Sequence, residues 1–286
     1  MNKLLKTFFL IGLVTVSFSA QAQENTNKSE LRANLKDLSF IFANTKVNHA
    51  QMYQDSQVSE LSADTQMQLL GKLDFALEYE REKFRWDNSI KMAYGKTKIK
   101  EVDGDETTNE PEDIILFTTD YAHKMWNIRN ADVGPFVNIG YETEFTKNDD
   151  SPRTSLSRGK AGIKLFGGTY FEDLYTAFVE EADFTYSKTN MKSAWEIGYR
   201  FKIPVREGVA FVSEGYYRDY FKYSEKNASD LKYDLKLFAK MEVELYKNLN
   251  FAPYFSYRQA QSRVAEKTGS SVIIGVAIGY GNCFDL

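Results

Sequence analysis

Residues 231–245 read LKYDLKLFAKMEVEL. Successive side chains of a β-strand point to opposite faces, so an extended conformation sorts this segment into two faces. One face carries Leu231, Tyr233, Leu235, Leu237, Met241, Val243 and Leu245, and the other carries Lys232, Asp234, Lys236, Lys240, Glu242 and Glu244. A strand in a soluble sandwich spans about five or six residues, whereas about 9 to 11 tilted residues cross a membrane. The segment therefore predicts a membrane-crossing strand with one face in lipid.

The same alternation recurs along the chain and predicts an all-β fold, an antiparallel transmembrane β-barrel of about 12 strands. The even number agrees with single-chain bacterial barrels. A soluble barrel of the lipocalin kind would not need so many long strands. The predicted strands are Leu38–Val47, Gln66–Glu80, Phe84–Lys98, Asp113–Met125, Ala131–Thr146, Arg158–Gly167, Phe171–Tyr186, Met191–Val205, Gly208–Tyr223, Asp230–Tyr246, Leu249–Gln259 and Ser271–Asn282.

Three segments break the pattern, and one of them, Asp113–Met125, is apolar on both faces at first and then polar on both. Residues 24–36 show no strand alternation, which favours a loose periplasmic tail over the alternative of a short helix. The run Phe178-Val179-Glu180-Glu181 places a carboxylate on either face. It predicts a bulge or a register break in that strand.

The connections between the predicted strands alternate in length. The long ones include residues 48–65 and 99–112, and the short ones include residues 81–83 and 247–248. Outer-membrane barrels have short periplasmic turns and longer outer loops. This spacing predicts that both termini lie in the periplasm.

The start of the chain predicts export. Lys3 and Lys6 precede the apolar run Phe8–Phe18, and small residues follow at Ser19–Ala22. This is the pattern of a signal peptide cleaved between Ala22 and Gln23. The predicted organisation is a signal peptide over residues 1–22, a periplasmic segment over 23–37 and a barrel over 38–286, located in the cell outer membrane.

Composition excludes several classes of protein. The chain has 36 Lys and Arg against 40 Asp and Glu, a formal net charge of −4 that argues against a nucleic-acid binder. Its one cysteine excludes an internal disulfide framework and cysteine-rich zinc sites.

Two short runs carry a resemblance to known barrels. The run Arg85–Thr97, followed by Glu112-Asp113-Ile114, resembles uncharacterised Gram-negative outer-membrane barrels of the domain-of-unknown-function kind and the salt-induced outer-membrane protein kind. The run Val272–Tyr280 resembles the closing strand that the barrel-assembly machinery recognises. The resemblance implies the same architecture, and this machinery as a partner during insertion, but no known chemistry.

Candidate catalytic and metal-binding residues are few. Neither His49 nor His123 stands in the His-x-Ser unit of lipid-active barrels, and only His49 with Asp55 could form a rim pair of the outer-membrane protease type. The acidic run Glu101–Glu106 lacks the spacing of a calcium loop. We therefore expect no enzyme activity, no cofactor and no metal.

The predicted lumen carries charges of both signs. Eight strands leave an interior filled by side chains and sixteen or more leave an open channel, so twelve allow either outcome. The first hypothesis is a narrow channel for small solutes. The alternative is a closed structural or surface-interaction barrel, and a lipid-active enzyme is less favoured. Expected partners are outer-membrane lipid and lipopolysaccharide, with the protein a monomer. The candidate lumen-lining residues are Lys72, Asp74, Arg85, Asp87, Lys91, Glu196, Arg200, Glu214, Arg218, Lys236, Lys240, Glu242 and Arg258.

Overall fold

A computed structural model describes residues 29–53, 58–62, 66–100, 106–146, 152–225, 227 and 230–286. The predicted signal peptide and its cleavage site lie outside these residues, as does Asp55.

The described chain is almost entirely β-strand. Its alternating residues extend into long strands because only that conformation separates the apolar from the charged side chains. The strands are β1 (Glu30–Asn48), β2 (Gln66–Glu80), β3 (Phe84–Lys100), β4 (Glu106–His123), β5 (Trp126–Ile128), β6 (Ala131–Thr143), β7 (Ser155–Phe166), β8 (Phe171–Asp183), β9 (Asn190–Arg206), β10 (Val209–Tyr223), β11 (Leu231–Tyr246), β12 (Leu249–Ser262) and β13 (Gly269–Asp285).

The strands close into one antiparallel barrel. Except for β4 and β5, each described strand pairs with its neighbours in sequence; β1 pairs with β13, and β4 and the three-residue β5 both pair with β6. Since β5 continues the line of β4, the described strands form a ring of twelve positions. The predicted all-β barrel and its strand number are confirmed.

The two faces of the wall differ as the alternation requires. Phe40, Phe42, Trp195 and Ile197 point outward with large exposed side chains, while Glu196, between the last two, is buried on the lumen side. An apolar exterior, a polar interior and an even strand number are the features of an outer-membrane β-barrel. As for helices, none among the described residues has the length and hydropathy needed to cross a membrane.

The first strand begins at Glu30, ahead of its predicted start at Leu38. Its pairing with β2 shifts register between Leu35 and Asp37, which is the mark of a β-bulge. A bulge moves the alternation by one residue, so Arg32 and Asn34 line the lumen before it and Ile41 is buried inside after it. A sequence pattern with a strict two-residue period therefore fails to predict that residues 30–37 belong to the strand.

The predicted register break at Phe178–Glu181 is wrong. Strand β8 pairs with β7 and β9 without interruption through these residues, and its register shift lies between Phe171 and Asp173. Glu181 turns into the lumen and is buried, while Glu180 lies on the outer face and accepts a hydrogen bond from Ser193. Both carboxylates are accommodated without a bulge.

The barrel has two different ends. Both ends of the described chain and the tight turns lie at one end, which we call the turn end. There, the Lys247-Asn248 turn takes positive φ angles at both residues, as two-residue hairpins favour. The longer connections lie at the opposite end, which we call the loop end. Its first connection contains a 3-10 turn, Ala50–Tyr53, and a short helix, α1 (Ser59–Ser62).

Candidate binding site in the barrel lumen

A cavity of about 1290 Å³ occupies the lumen on the turn-end side. Glu207, Asn248 and Cys283 line it at the turn end, whereas Lys72 and Lys236 line it deep inside the barrel. We call this cavity the vestibule. None of the loop-end connections contributes to its described lining, so it is accessible from the turn end.

Most of the thirteen residues predicted to line the lumen surround the vestibule. Asp87 lies beside Arg85 at 2.8 Å, whereas Glu196, Arg218 and Arg258 are buried nearer the loop end. The residues that line the vestibule are Lys72, Asp74, Arg85, Lys91, Arg200, Glu214, Lys236, Lys240 and Glu242.

Four of these side chains join opposite walls of the barrel. Arg200 on β9 lies 3.1 Å from Asp74 on β2, and Lys91 on β3 lies 3.7 Å from Glu214 on β10. Each pair joins strands six positions apart in the ring of twelve. Glu214 also lies 3.3 Å from Arg200, and Asp74 lies 3.4 Å from Lys91. Direct contact across the ring means that the lumen is narrow at this level.

The loop-end side of the lumen is filled by a buried ionic network. Glu196 has 0% of its surface exposed and accepts hydrogen bonds from Lys160 at 2.5 Å, Tyr175 at 2.6 Å and Arg218 at 2.5 Å. A buried carboxylate is tolerated only when donors of this kind replace its water. Glu196 is therefore fully neutralised by its surroundings.

Two further carboxylates extend the network toward the loop end. Glu181 accepts hydrogen bonds from Arg158 at 2.6 and 2.8 Å, and Lys192 lies 3.3 Å away. Asp234 is bound by Arg258 through Nε at 3.0 Å and Nη2 at 2.8 Å. These groups lie on β7 to β12, so they close one side of the lumen.

The first loop closes the other side. Tyr53, Val58 and Leu61 are buried together with Ala260, and the Tyr53 hydroxyl donates to the Lys267 carbonyl at 2.8 Å. The helix α1 lies against β1, β4 and β13. The apolar cluster holds this loop inside the barrel.

Glu60 on α1 binds the opposite wall. Its carboxylate lies 2.6 Å from Lys236 on β11 and 3.6 Å from Arg258 on β12. Helix α1 lies against β4, which is six ring positions from β11, and also against β13, which is next to β12. The helix and its glutamate thus span the lumen at the inner end of the vestibule.

The cations around Glu60 keep its carboxylate ionised. Burial alone would raise the pKa of Glu60, but Lys236, Arg258 and Lys72 outweigh it and lower the pKa from 4.5 to about 2. One carboxylate oxygen, Oε2, is buried without a hydrogen-bond partner. Sequence reasoning missed Glu60 because it lies in a loop with no alternation, where a carboxylate usually faces water.

The histidines do not form a site. His49 Nδ1 lies 2.8 Å from the Thr268 carbonyl oxygen at the exposed loop end, and its proposed partner Asp55 is not among the described residues. His123 ends β4 at the turn end. Among the side chains that the structure describes, no group of three or more His, Cys, Asp or Glu is placed to hold a metal ion.

Part of the chain matches a protein family of unknown function. Residues 60–148, less than half of the chain, match the family described as "Protein of unknown function (DUF3078)". This agrees with the resemblance of Arg85–Thr97 to barrels of unknown function, and the resemblance to the salt-induced kind stays a prediction. No curated protein matches the sequence.

The solved structures that match the chain include three of different kinds. The translocator domain of the autotransporter NalP from Neisseria meningitidis is 10% identical with a TM-score of 0.38, over 96% of this chain and 95% of that one. The outer membrane phospholipase A from Escherichia coli is 9% identical with a TM-score of 0.42, over 90% and 94%. The outer membrane channel DcaP of Acinetobacter baumannii is 8% identical with a TM-score of 0.37, over 93% and 99%. Likeness at this level carries no functional argument.

Proposed function

We propose that the protein is an outer-membrane barrel that is closed to solute passage in the state of this structure and presents a charged vestibule to the periplasm. The observation that carries the proposal is the contact of Glu60 with Lys236 and Arg258 across the lumen. Together with the ionic network around Glu196, it occupies the lumen where a channel would have to continue.

The membrane placement rests on the outer surface and on the signal-like start of the chain. Exposed Phe, Trp and Ile side chains on the outer face would be unfavourable in water and favourable in hydrocarbon. Short turns lie on the periplasmic side in such barrels, so we place the turn end there and the loop end at lipopolysaccharide. We propose a monomer without cofactor or catalytic role, inserted by the barrel-assembly machinery.

Conductance in planar bilayers tests the closed state. Purified protein, shown to be folded by its shifted mobility on an unheated detergent gel, should insert without giving steady conductance steps. A conducting outer-membrane porin reconstituted in the same lipid serves as the positive control. Steady steps from the folded wild-type protein at neutral pH would overturn the proposal.

A narrow channel is the second candidate, and the vestibule favours it. A charged cavity of about 1290 Å³ that reaches from the turn end to Lys236 is more interior space than a purely structural barrel requires. In this structure the path ends at α1. The channel therefore needs a second conformation, whereas the closed barrel needs none, and the conductance measurement separates the two.

A further inference from the structure

Lys236 belongs both to the inner end of the vestibule and to the contacts that hold α1. Lys236 lines the vestibule, and the same ammonium group lies 2.6 Å from Glu60. Lys72 lines the vestibule at the same level and acts electrostatically on Glu60. Glu60 thus occupies a position that a solute in the vestibule would reach.

We propose that Lys72, Lys236 and Arg258 form an anion-binding site, that Glu60 occupies it in the closed state, and that a small solute bearing a carboxylate or phosphate group takes its place. This inference rests on the proposed function, because it takes the vestibule to be a compartment that solutes enter from the periplasm.

The guanidinium of Arg258 is oriented for this role. Its Nε and Nη2 atoms bind Asp234, and its Nη1 atom is left directed toward Glu60 at 3.6 Å. Asp234 is thus a positioning residue, which fixes the plane of the guanidinium while the third nitrogen faces the site. A fixed guanidinium edge with an adjacent ammonium suits a carboxylate or phosphate oxygen.

The ammonium of Lys72 is also held in the lumen. It lies 5.2 Å from the ring centre of Tyr254 and 5.9 Å from that of Phe238, and it donates to the Tyr254 hydroxyl at 3.2 Å. Aromatic faces favour a cation at such distances. The lysine is therefore kept near the site.

The charges of the site favour anions. The main electrostatic partners of Glu60 are the cations Lys236, Arg258 and Lys72. When Glu60 leaves, one negative charge is lost from this level of the lumen. An entering carboxylate or phosphate restores it, whereas an entering cation does not.

Anion binding and docking of α1 therefore exclude each other. The glutamate is an internal competitor at high effective concentration because it belongs to the same chain and its loop is held inside the barrel by the apolar cluster. A bound anion removes the polar contacts of α1 with the opposite wall, leaving the apolar cluster of Tyr53, Val58 and Leu61 to hold it. The site thus couples solute binding to the docking of α1.

Calorimetric titration of the detergent-purified full chain with inorganic phosphate and, separately, with acetate tests the site. Glu60→Gln removes the competitor with little change in volume, so its affinity for at least one of the two anions should exceed that of wild type by about tenfold or more. The two probes separate a phosphate site from a carboxylate site. Methylammonium, a cationic probe, should show no gain.

Three further variants complete the test. Glu82→Gln makes the same charge change in the exposed turn between β2 and β3, outside the described lining of the vestibule, and should bind as wild type does. Leu61→Asp disrupts the apolar cluster around α1 and should raise the affinity for the same anion, and adding Lys236→Met to Glu60→Gln should abolish the gain. All variants are first checked for the mobility shift of the folded barrel.

The inference is overturned if Glu60→Gln binds both anions no better than wild type, or if Lys236→Met leaves the gain intact. Either result with a non-conducting wild type refutes the anion site alone. Conductance of the wild type refutes the closed barrel instead.

Discussion

Glu196 shows at the scale of one residue how the barrel is filled. Its carboxylate has 0% exposure and holds Lys160, Tyr175 and Arg218 together. Replacing it by alanine leaves the buried Arg218 and the partly buried Lys160 without this carboxylate. We expect Glu196→Ala to lower the free energy of unfolding by about 3–5 kcal/mol, measured by urea denaturation of the barrel in lipid vesicles.

The matched control for this loss is Glu207→Ala in the exposed turn before β10. It should change the free energy of unfolding by no more than about 0.5 kcal/mol. Equal stability of the two variants would mean that the network around Glu196 is hydrated and not buried.

Ile197 tests the outward face of the wall. It lies on β9 with 51% of its surface exposed, next to the inward-facing Glu196. Arginine at a mid-strand position on the lipid face destabilises the barrel. We expect Ile197→Arg to lower the free energy of unfolding, measured in vesicles, by about 2–4 kcal/mol.

Val205 provides the control because it points outward from the same strand at the turn end. Arginine near the interface should cost no more than about 1 kcal/mol there. A larger loss at Val205 than at Ile197 would contradict the placement of the membrane midplane.

The sequence predicts which residues face the lumen better than it predicts their partners. Alternation alone assigns Arg200 and Asp74 to inward positions. Their contact at 3.1 Å, across 126 residues of sequence, follows from the closure of the ring and from its narrow waist, which no local pattern records. Nothing local marks Glu60 either, because α1 is held by the barrel and not by its own helix propensity.

At the scale of an element, the ion pairs of α1 depend on one carboxylate, Glu60, and respond to pH in a defined range. Glu60 has its pKa lowered to about 2, so its ionised form stabilises the folded state. That contribution is complete above the usual pKa of 4.5 and is lost as the pH falls through about 2.

We therefore expect wild type to exceed Glu60→Gln in the free energy of unfolding by about 3 kcal/mol at pH 7. The difference should stay constant down to about pH 5 and shrink below it. Urea denaturation of both proteins at a series of pH values checks this. A difference that disappears between pH 7 and 5 would contradict the assignment of the ion pair.

Strand β1 shows where element boundaries escape a periodic pattern. The bulge near Asp37 exchanges the inward and outward positions, so residues 30–36 look patternless when read in phase with Phe40 and Phe42. In β8 the sequence leads to the opposite error. The adjacent carboxylates Glu180 and Glu181 wrongly predict a bulge, although each lies on its own face of a regular strand.

For the whole molecule, the single cysteine reports which end faces the periplasm. Cys283 lines the vestibule at the turn end, and Lys188 lies exposed in the loop-end connection after β8. We compare wild type with Cys283→Ser/Lys188→Cys, each carrying one thiol, using a maleimide too large to cross the outer membrane.

The substituted thiol should be modified on intact cells, and Cys283 only after the outer membrane is permeabilised. The reverse result would place the turn end outside. The number of strands in the ring can be predicted from the spacing of the strands in the sequence. The orientation of the barrel in the membrane is predicted only from the lengths of its loops.

The seam between β1 and β13 governs how the barrel can form. It runs from Arg32 opposite Asp285 to Asn48 opposite Ser270, joining the most distant parts of the described chain. Pairings of such long sequence separation are made late and slowly, since most of the chain must be ordered before they contribute. Until then both terminal strands expose unpaired edges that can join other chains. After closure, the described strands leave an open edge only at the three-residue β5. The assembled protein should therefore persist through a high unfolding barrier, and its lifetime becomes a kinetic property.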